Sequence, residues 1–505
     1  MKEQSFEQFK QGWQQGKAQL VWQEFNADLE TPVSCYMKLA ATEPYAFLLE
    51  SVEGGEIRGR YSFIGIKPDL LWRSNQNEAM LAKLGQACDA DNAPEWQLET
   101  RPTLESLRAL CEESRLDLPD HLPPMSAGLI GYLGYDTIRL IENIPANNPD
   151  PLALPEGLFM RPSIMVIFDT ITNILSLATP VWQNDHNQHE TPQALWQAAL
   201  ERLAIAKDRL AQPLPLENIA RSTQKAVIES LMDGETYQTM VQDAKELIKA
   251  GDIFQVVLSQ RYRALYQGSP FNFYRALRRT NPAPFLFFLK FDDFAVTGSS
   301  PEILVRNRDH KVTIRPLAGT RPRGKDQAQD IANEQALLKD PKELAEHLML
   351  LDLGRNDVGR VSKLGSVKVT DQFMVERYSH VMHIVSNVEG ELAAEEDSLT
   401  ALFAGFPAGT VSGAPKVRAM EIIDQLEPLK RGIYAGCVGY FAADGSMDSC
   451  IALRTAIIKD DYIYMQAGAG IVADSDPASE QQECQAKVGA LITALHLAQE
   501  INSNN

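Results

Sequence analysis

At 505 residues, with 44% apolar residues and 67 acidic against 48 basic side chains, the chain can bury one very large core or two to three ordinary ones. Its net charge of −19 argues against nucleic acid or an anionic membrane as the main partner, so an anionic substrate needs a local basic pocket. No apolar run approaches the ~20 residues of a membrane span, and Met1-Lys2-Glu3-Gln4-Ser5 lacks both regions of a signal peptide, so the expected location is cytoplasmic.

Residues 18–182 read mainly as strands and turns, with apolar runs at Ala46 to Leu49, Gly128 to Leu133 and Ser163 to Phe168. A polar stretch, Gln183 to Glu190, precedes a helical pattern from Gln193 to Leu210. Alternate prolines in Gln212-Pro213-Leu214-Pro215-Leu216 cannot continue that helix. A boundary is therefore placed at 211–226, between an N-terminal lobe of residues 18–210 and a second lobe of residues 227–500.

Glu235 to Ala250 carries Tyr237, Val241, Ala244 and Ile248 on one stripe and stops at Gly251, the pattern of an amphipathic helix. Strands are predicted at Ile253 to Tyr262, Pro284 to Lys290, Asp293 to Thr297, Ile303 to Arg306, Lys311 to Pro316, Gly436 to Phe441 and Tyr462 to Gln466. They outnumber the helices and recur at hairpin spacing. This predicts an α+β (mixed α/β) fold with large antiparallel sheets, and not a doubly wound parallel sheet. The cysteines Cys35, Cys88, Cys111, Cys437, Cys450 and Cys484 form no Cys-x-x-Cys pair and read as free thiols, and among the histidines His380 and His383 fall close together.

Two distant runs bear on chemistry. Lys342-Glu343-Leu344-Ala345-Glu346-His347 and Glu480-Gln481-Gln482-Glu483-Cys484-Gln485-Ala486-Lys487 each set two carboxylates three residues apart, on one face if the run is helical, and Lys487 joins the second pair. A single such pair is ordinarily a solvated helix face. Two pairs, with the glycine-rich Ala467-Gly468-Ala469-Gly470 close by, suit a hard cation such as magnesium beside backbone donors for a small acid. The segment Gly409 to Val417 is no phosphate loop, because Gly413 is followed by Ala414-Pro415-Lys416-Val417, and no Gly-x-Gly-x-x-Gly supports a dinucleotide site.

Six ordered segments carry a resemblance: Gly298-Ser299-Ser300-Pro301-Glu302, Arg315-Pro316-Leu317-Ala318-Gly319-Thr320, Ala345-Glu346-His347-Leu348, Asp352-Leu353-Gly354-Arg355-Asn356-Asp357, Gly409-Thr410-Val411-Ser412-Gly413-Ala414-Pro415-Lys416 and Gln466-Ala467-Gly468-Ala469-Gly470. With these the chain closely resembles the chorismate-utilising enzymes, in particular the large subunits that make anthranilate, over essentially its whole length. The resemblance implies one interleaved sandwich of antiparallel sheets with helices outside. It also implies that ammonia adds to chorismate, the 4-hydroxyl leaves and pyruvate is eliminated.

By resemblance, Glu346 and Glu483 hold a magnesium ion, supported by Glu343 and Glu480. Gly468, Ala469, Gly470 and Lys487 contact the ring carboxylate, and Tyr434 and Arg454 hold the enolpyruvyl carboxylate. Glu302 is the acid near the departing hydroxyl, His383 serves pyruvate elimination, and Gly319, Thr320 and Thr410 line the ring. Isochorismate and salicylate synthases of the family carry a water-activating lysine where the strand here reads Leu258-Ser259-Gln260-Arg261, and aminodeoxychorismate synthases carry lysine at the position of Ala318. Both sites therefore point to ammonia as nucleophile and anthranilate as product, with an aminodeoxychorismate synthase component as an alternative. A silent metabolite-binding protein is the other alternative, although every matched catalytic position is intact. No Gly-x-Cys-x-Gly elbow for glutamine hydrolysis is present, so ammonia is expected from a partner glutamine amidotransferase subunit in a heterotetramer. Ser51, Pro284, Phe285, Leu286, Tyr440 and Cys450 match the pocket in which feedback-inhibited members bind tryptophan, although the segment Asn281-Pro282-Ala283-Pro284-Phe285-Leu286 departs from the usual Asn-Pro-Ser/Thr-Pro-Tyr-Met.

Overall fold

The computed structural model describes residues 3–51, 59–84, 93–184, 187–215, 225–378 and 381–504. Cys88, His380 and most of the proposed 211–226 boundary lie outside the described residues. The predicted strands and helices recur with shifted ends. The helix expected from Gln193 begins at Pro192, capped by Thr191, and the helix expected from Glu235 runs from Gly234 to Ala250 between an Asp233 cap and Gly251 at φ 86°.

All strand pairings among the described residues are antiparallel. They form two sheets joined by two long strands, Tyr61–Asn75 and Gly157–Asp169, which bulge where Pro68 meets Pro162 and so belong to one sheet at each end. In the first sheet the neighbours run Gln255–Leu265, Tyr462–Ile471, Thr455–Lys459, Phe294–Ser300, Phe285–Lys290 and Ala46–Glu50. In the second they run Gly128–Leu133, Cys437–Ala442, Met447–Ile451, Ile303–Arg308, Lys311–Ile314 and Val381–Glu391, with Leu317–Pro322 and Lys368–Arg377 also paired to the last. The mixed fold with large antiparallel sheets is thus the observed one.

Two features of this order matter below. Strands of the N-terminal third are inserted among later ones, Ala46–Glu50 beside Phe285–Lys290 and Gly128–Leu133 beside Cys437–Ala442. The chain also steps from a strand of one sheet straight into a strand of the other at Pro301–Glu302 and at Ala452–Arg454. The two crossings are bonded to each other, since Ile451 N donates to the Glu302 carbonyl at 3.1 Å and Ser299 N to the Arg454 carbonyl at 3.2 Å.

Helices cover the outer faces. The long C-terminal helix Pro477–Asn504 buries Val488, Leu491, Leu495 and Ala498 against Phe273 and Leu277 of the Pro270–Thr280 helix and Tyr262, Ile463 and Met465 of the sheet. The Pro341–Gly359 helix starts on Asp340, whose carboxylate accepts from the Lys342 and Glu343 amides, and lays Leu350 and Leu351 inward. Each carries one of the sequence-predicted carboxylate pairs. Cys35, Cys111, Cys437, Cys450 and Cys484 are free thiols, as expected.

The seam between early and late strands is tight. A methyl on Gly131, opposite Gly439 in the register, would sit 1.9 Å from the Leu158 carbonyl oxygen. Gly131→Ala is expected to destabilise the protein by about 3 kcal/mol or more. Denaturant unfolding, with Gly359→Ala as the exposed control, measures this.

Candidate active site

The Gln255–Leu265 strand presents alternate residues to two environments. Gln260 lies on the outer face, where its amide donates to Ser230 Oγ at 2.9 Å and the Met232 carbonyl at 3.1 Å and its oxygen accepts from Tyr262 at 2.6 Å. All its polar atoms are thereby occupied within the fold. The expectation that Gln260 takes part in choosing the nucleophile is corrected on this point. The strand's residue at the site is Gln255, whose Nε2 donates to Glu346 Oε1 at 3.3 Å and whose Oε1 is buried with no protein partner. Sequence reading missed Gln255, because nothing in the sequence anchors the strand's parity; in the structure it shares a face with Ser259, which bonds the buried Glu427.

The glycines were expected to follow a strand, but here they lie inside it: Tyr462–Ile471 continues to pair, Leu258 with Ala469 and Ser259 with Gly468. They are small because neighbours crowd them, a Cβ on Gly468 meeting the Leu258 carbonyl at 2.8 Å and the Tyr434 hydroxyl at 2.9 Å, and one on Gly470 meeting Gln255 Nε2 at 2.6 Å. Ser259 N donates to Glu427 at 2.8 Å and Val257 N to the Ser412 carbonyl at 2.9 Å, so neither bonds the opposing glycine. Gly468 and Gly470 consequently turn their N–H groups outward, whereas Ala469 turns its own toward Leu258. On the same outward side Lys487 Nζ donates to the Gly468 carbonyl at 2.8 Å and pairs with Glu483 at 2.8 Å.

The carboxylate pairs meet beside these groups. The charges of Glu343 and Glu483 both bear on Glu346, whose pKa is raised by burial first, against the lowering Gln255 hydrogen bond, and then by these neighbours. Burial also raises Glu480, and Glu483 adds to that. Glu343 is bound by Arg321 at 3.0 Å, and Arg321 also reaches Asp340 at 2.6 Å. No three His, Cys, Asp or Glu side chains form a ready-made cage among the described residues. That donor set does suit magnesium, which takes one or two carboxylates and fills its other positions with water or substrate. Carboxylates that burial and their own neighbours hold toward the neutral form are what a divalent cation would relieve.

Gly319, at φ 68°, links this cluster to the histidine: its added Cβ would approach Glu343 Oε2 at 3.1 Å, and its carbonyl lies 2.9 Å from His383 Nδ1. A carbonyl only accepts, so Nδ1 carries the hydrogen and the Nε2 lone pair is left available. Thr320 Oγ1 is 3.2 Å from the same nitrogen, and the Tyr378 ring stands edge-on at 5.5 Å. Burial lowers the His383 pKa to about 4, opposed by the Gly319 contact and aided by the nearby Arg454, so the imidazole is neutral at pH 7. Arg454 itself adopts φ 48° at its sheet crossing, a conformation uncommon for a side chain of this size.

Glu302 lies at the other crossing. It is 7% exposed, and both carboxyl oxygens stand 3.2 Å from Thr410 Oγ1. Burial raises its pKa to about 8, against the lowering hydrogen bonds of Thr410 and the Leu317 amide. At pH 7 burial therefore favours a protonated carboxyl at the first crossing and a neutral imidazole on the Val381–Glu391 strand. His347, beside Glu346 in sequence, plays no part: it is buried and bonded to Ser386 Oγ at 2.7 Å.

A cavity of about 750 Å³ is lined by residues from both the N-terminal third and the later part of the chain. Ser51, Pro284, Phe285, Leu286, Tyr440 and Cys450 all line it, and its wall continues through Pro301 to Glu302.

Residues 36–493 match the chorismate binding enzyme family. The chain belongs to that family. It is 53% identical over 488 residues to the anthranilate synthase component 1 of Cereibacter sphaeroides, covering 96% of each chain. With that of Pseudomonas aeruginosa it shares 44% over 476 residues, 94% of each. The crystal structure of anthranilate synthase component I from Streptococcus pneumoniae superposes with a TM-score of 0.74 at 35% identity, covering 93% of this chain and 99% of that one. The menaquinone-specific isochorismate synthase of Escherichia coli, 20% identical, shares the fold at a TM-score of 0.70, over 97% of this chain and 100% of the other.

In this chorismate-binding enzyme, the buried carboxyl has a stability signature. The Glu302 pKa is raised on folding, so its contribution to stability is present below the unfolded-state value and is lost as pH rises through about 8. Glu302→Gln is expected to raise Tm by a few degrees at pH 8 and to change it little at pH 4.5. Calorimetric scans at the two pH values check the sign.

Proposed function

We propose that the chain is the large, aminating subunit of an anthranilate synthase, converting chorismate and ammonia to anthranilate, pyruvate and water. The observation that carries this reading is the joint presence of a buried Glu302 that favours its proton at one sheet crossing and of a neutral His383 on the Val381–Glu391 strand, close enough to Arg454 of the other crossing to feel its charge, in a chain whose near-full-length relatives are called anthranilate synthase component 1. Arg454 and the Tyr434 hydroxyl hold the enolpyruvyl carboxylate, a task suited to a planar guanidinium. Lys487 and the outward N–H groups of Gly468 and Gly470 face the ring carboxylate. Glu346 and Glu483 are the residues that would hold magnesium, with Glu480 in support and Glu343 fixed by Arg321. When bound, the ion supplies positive charge for the ring carboxylate.

As ammonia bonds to the ring and gives up one proton, the C–O bond of the 4-hydroxyl breaks, and Glu302 supplies the proton with which it leaves as water. Thr410 keeps that carboxyl aimed. His383 Nε2 then takes the hydrogen from the aminated ring carbon. The freed electron pair enters the ring as the enolpyruvyl C–O bond breaks, giving the aromatic product and pyruvate enolate, which is protonated to pyruvate.

The name component 1 on the relatives supports a second component, proposed to be a glutamine amidotransferase that supplies the ammonia within a heterotetramer. Anthranilate fluorescence tests these points together. The purified chain is expected to turn over chorismate with ammonium and magnesium but not with glutamine, and Glu346→Ala or Glu483→Ala to reduce the rate by at least about 100-fold while leaving the unfolding curve in place. Inactivity of the wild type, or full magnesium-dependent activity of either variant, would contradict the assignment.

Tryptophan is proposed as the occupant of the cavity that both parts of the chain line. Phe285 and Leu286 offer an apolar wall, while Glu50 and the Ser51 segment offer polar groups to an amino acid. Because that wall includes Pro301 and Glu302, a ligand there can bias the catalytic acid directly as well as the lobes. Calorimetric titration is expected to show binding to wild type and at least about tenfold weaker binding to Ser51→Phe, the equivalent of ~1.4 kcal/mol.

A further inference from the structure

Arg431 appears in neither the carboxylate nor the glycine motifs. It is 2% exposed, forks onto Glu427 with Nε to Oε2 at 3.0 Å and Nη2 to Oε1 at 2.6 Å, and its partner is 4% exposed. A buried ion pair of this kind is weak evidence for stability, because two charges have lost their water. Its remaining contacts are more informative. Nη1 donates to the Val411 carbonyl at 2.7 Å and Nη2 to the Val257 carbonyl at 2.5 Å. The guanidinium carbon lies 4.8 Å from the Tyr135 ring centroid and 5.7 Å from that of Tyr434. Glu427 Oε1 in turn accepts from Ser259 N at 2.8 Å and Ser259 Oγ at 2.9 Å.

Three of these contacts end at, or within two residues of, a member of the site. Val411 follows Thr410, which aims Glu302. Val257 lies on the strand that presents Gln255 to Glu346, and Tyr434 places its hydroxyl beside Gly468. The Gly409–Val411 turn and the Gln255–Leu265 strand meet at one cation that touches no substrate position. Five fixed N–H directions can serve three backbone and carboxylate acceptors at once, which an ammonium on a flexible stem cannot do.

Resting on the functional reading above, we propose that Arg431 is a positioning residue for the amination step: its guanidinium, set by Glu427, fixes the turn that holds Thr410 against Glu302 and the ring of Tyr434 beneath the substrate carboxylate. The mechanism makes the effect readable. The Thr410 hydrogen bond lowers the Glu302 pKa, so releasing it moves the alkaline limb of the kcat/KM profile upward in pH.

The test compares wild type, Thr410→Val, Arg431→Lys and the double variant, at constant free ammonia. Arg431→Lys is expected to lower kcat/KM by about 10- to 100-fold, as a misplacement of ångström size does. It should move the alkaline limb in the same direction as Thr410→Val, and the double variant should lose little more than the worse single one. If Arg431→Lys does not fold, Glu427→Gln, which loosens the same guanidinium while keeping its shape, must show the same shift and the same non-additivity. A folded variant with an unmoved limb, or losses that multiply, overturns the positioning role while leaving the functional reading intact. Failure of the wild type to form anthranilate overturns the functional reading itself, and this inference with it.

Discussion

The site depends on the two places where the chain steps straight from a strand of one sheet into a strand of the other. A strand that changes sheets must interrupt its ladder, and the interruption frees side chains to point into the gap between sheets. Here the two interruptions are hydrogen-bonded to each other through Glu302, Ile451, Ser299 and Arg454, so neither can move alone. Arg454 is held in left-handed backbone at that point, and the surrounding ladders on both sides make the conformation tolerable. The acid and the arginine are thereby rigid although neither lies within a regular strand.

Burial acts in opposite senses on the two groups proposed to exchange protons. It disfavours charge on both, which makes a carboxyl a stronger holder of its proton and an imidazole a weaker one. Glu302 is therefore an acid and His383 a base over the same span of pH, without any ion pair between them. The carboxylate cluster differs, since its members are half-buried, mutually repulsive and partly tied by Arg321 and Lys487. Its donors suit a cation, and Gly319 separates it from His383 by a single residue's width.

How much of this the sequence disclosed follows from the range of each interaction. The Glu343–Glu346 and Glu480–Glu483 spacings were legible because helical period is local, and both helices are present. The ordered motifs located Glu302, Thr410, His383 and Arg454 together. Glycines at 468 and 470 pointed instead to a turn, because the crowding that demands them comes from Leu258, Gln255 and Tyr434, distant in sequence. Facing along the Gln255–Leu265 strand needed one anchored residue to set its parity, and without one Gln260 and Gln255 were indistinguishable. Arg431 did not stand out because, beyond a Glu427 partner four residues away that reads as an ordinary helix-spaced pair, its acceptors are backbone carbonyls 20 and 174 residues away, which leave no side-chain pattern.

The insertion of early strands among late ones has a consequence for biogenesis. Ala46–Glu50 finds its neighbour Phe285–Lys290 only after about 240 further residues have been made, and Gly128–Leu133 waits still longer for Cys437–Ala442. At a synthesis rate of about 5–20 residues per second, apolar strands with unpaired edges stay exposed for about 10 seconds or more. High contact order slows closure further once the chain is complete. The nascent N-terminal third is thus the part of this molecule most in need of a chaperone, and neither lobe is a unit that can be produced alone with its sheets closed.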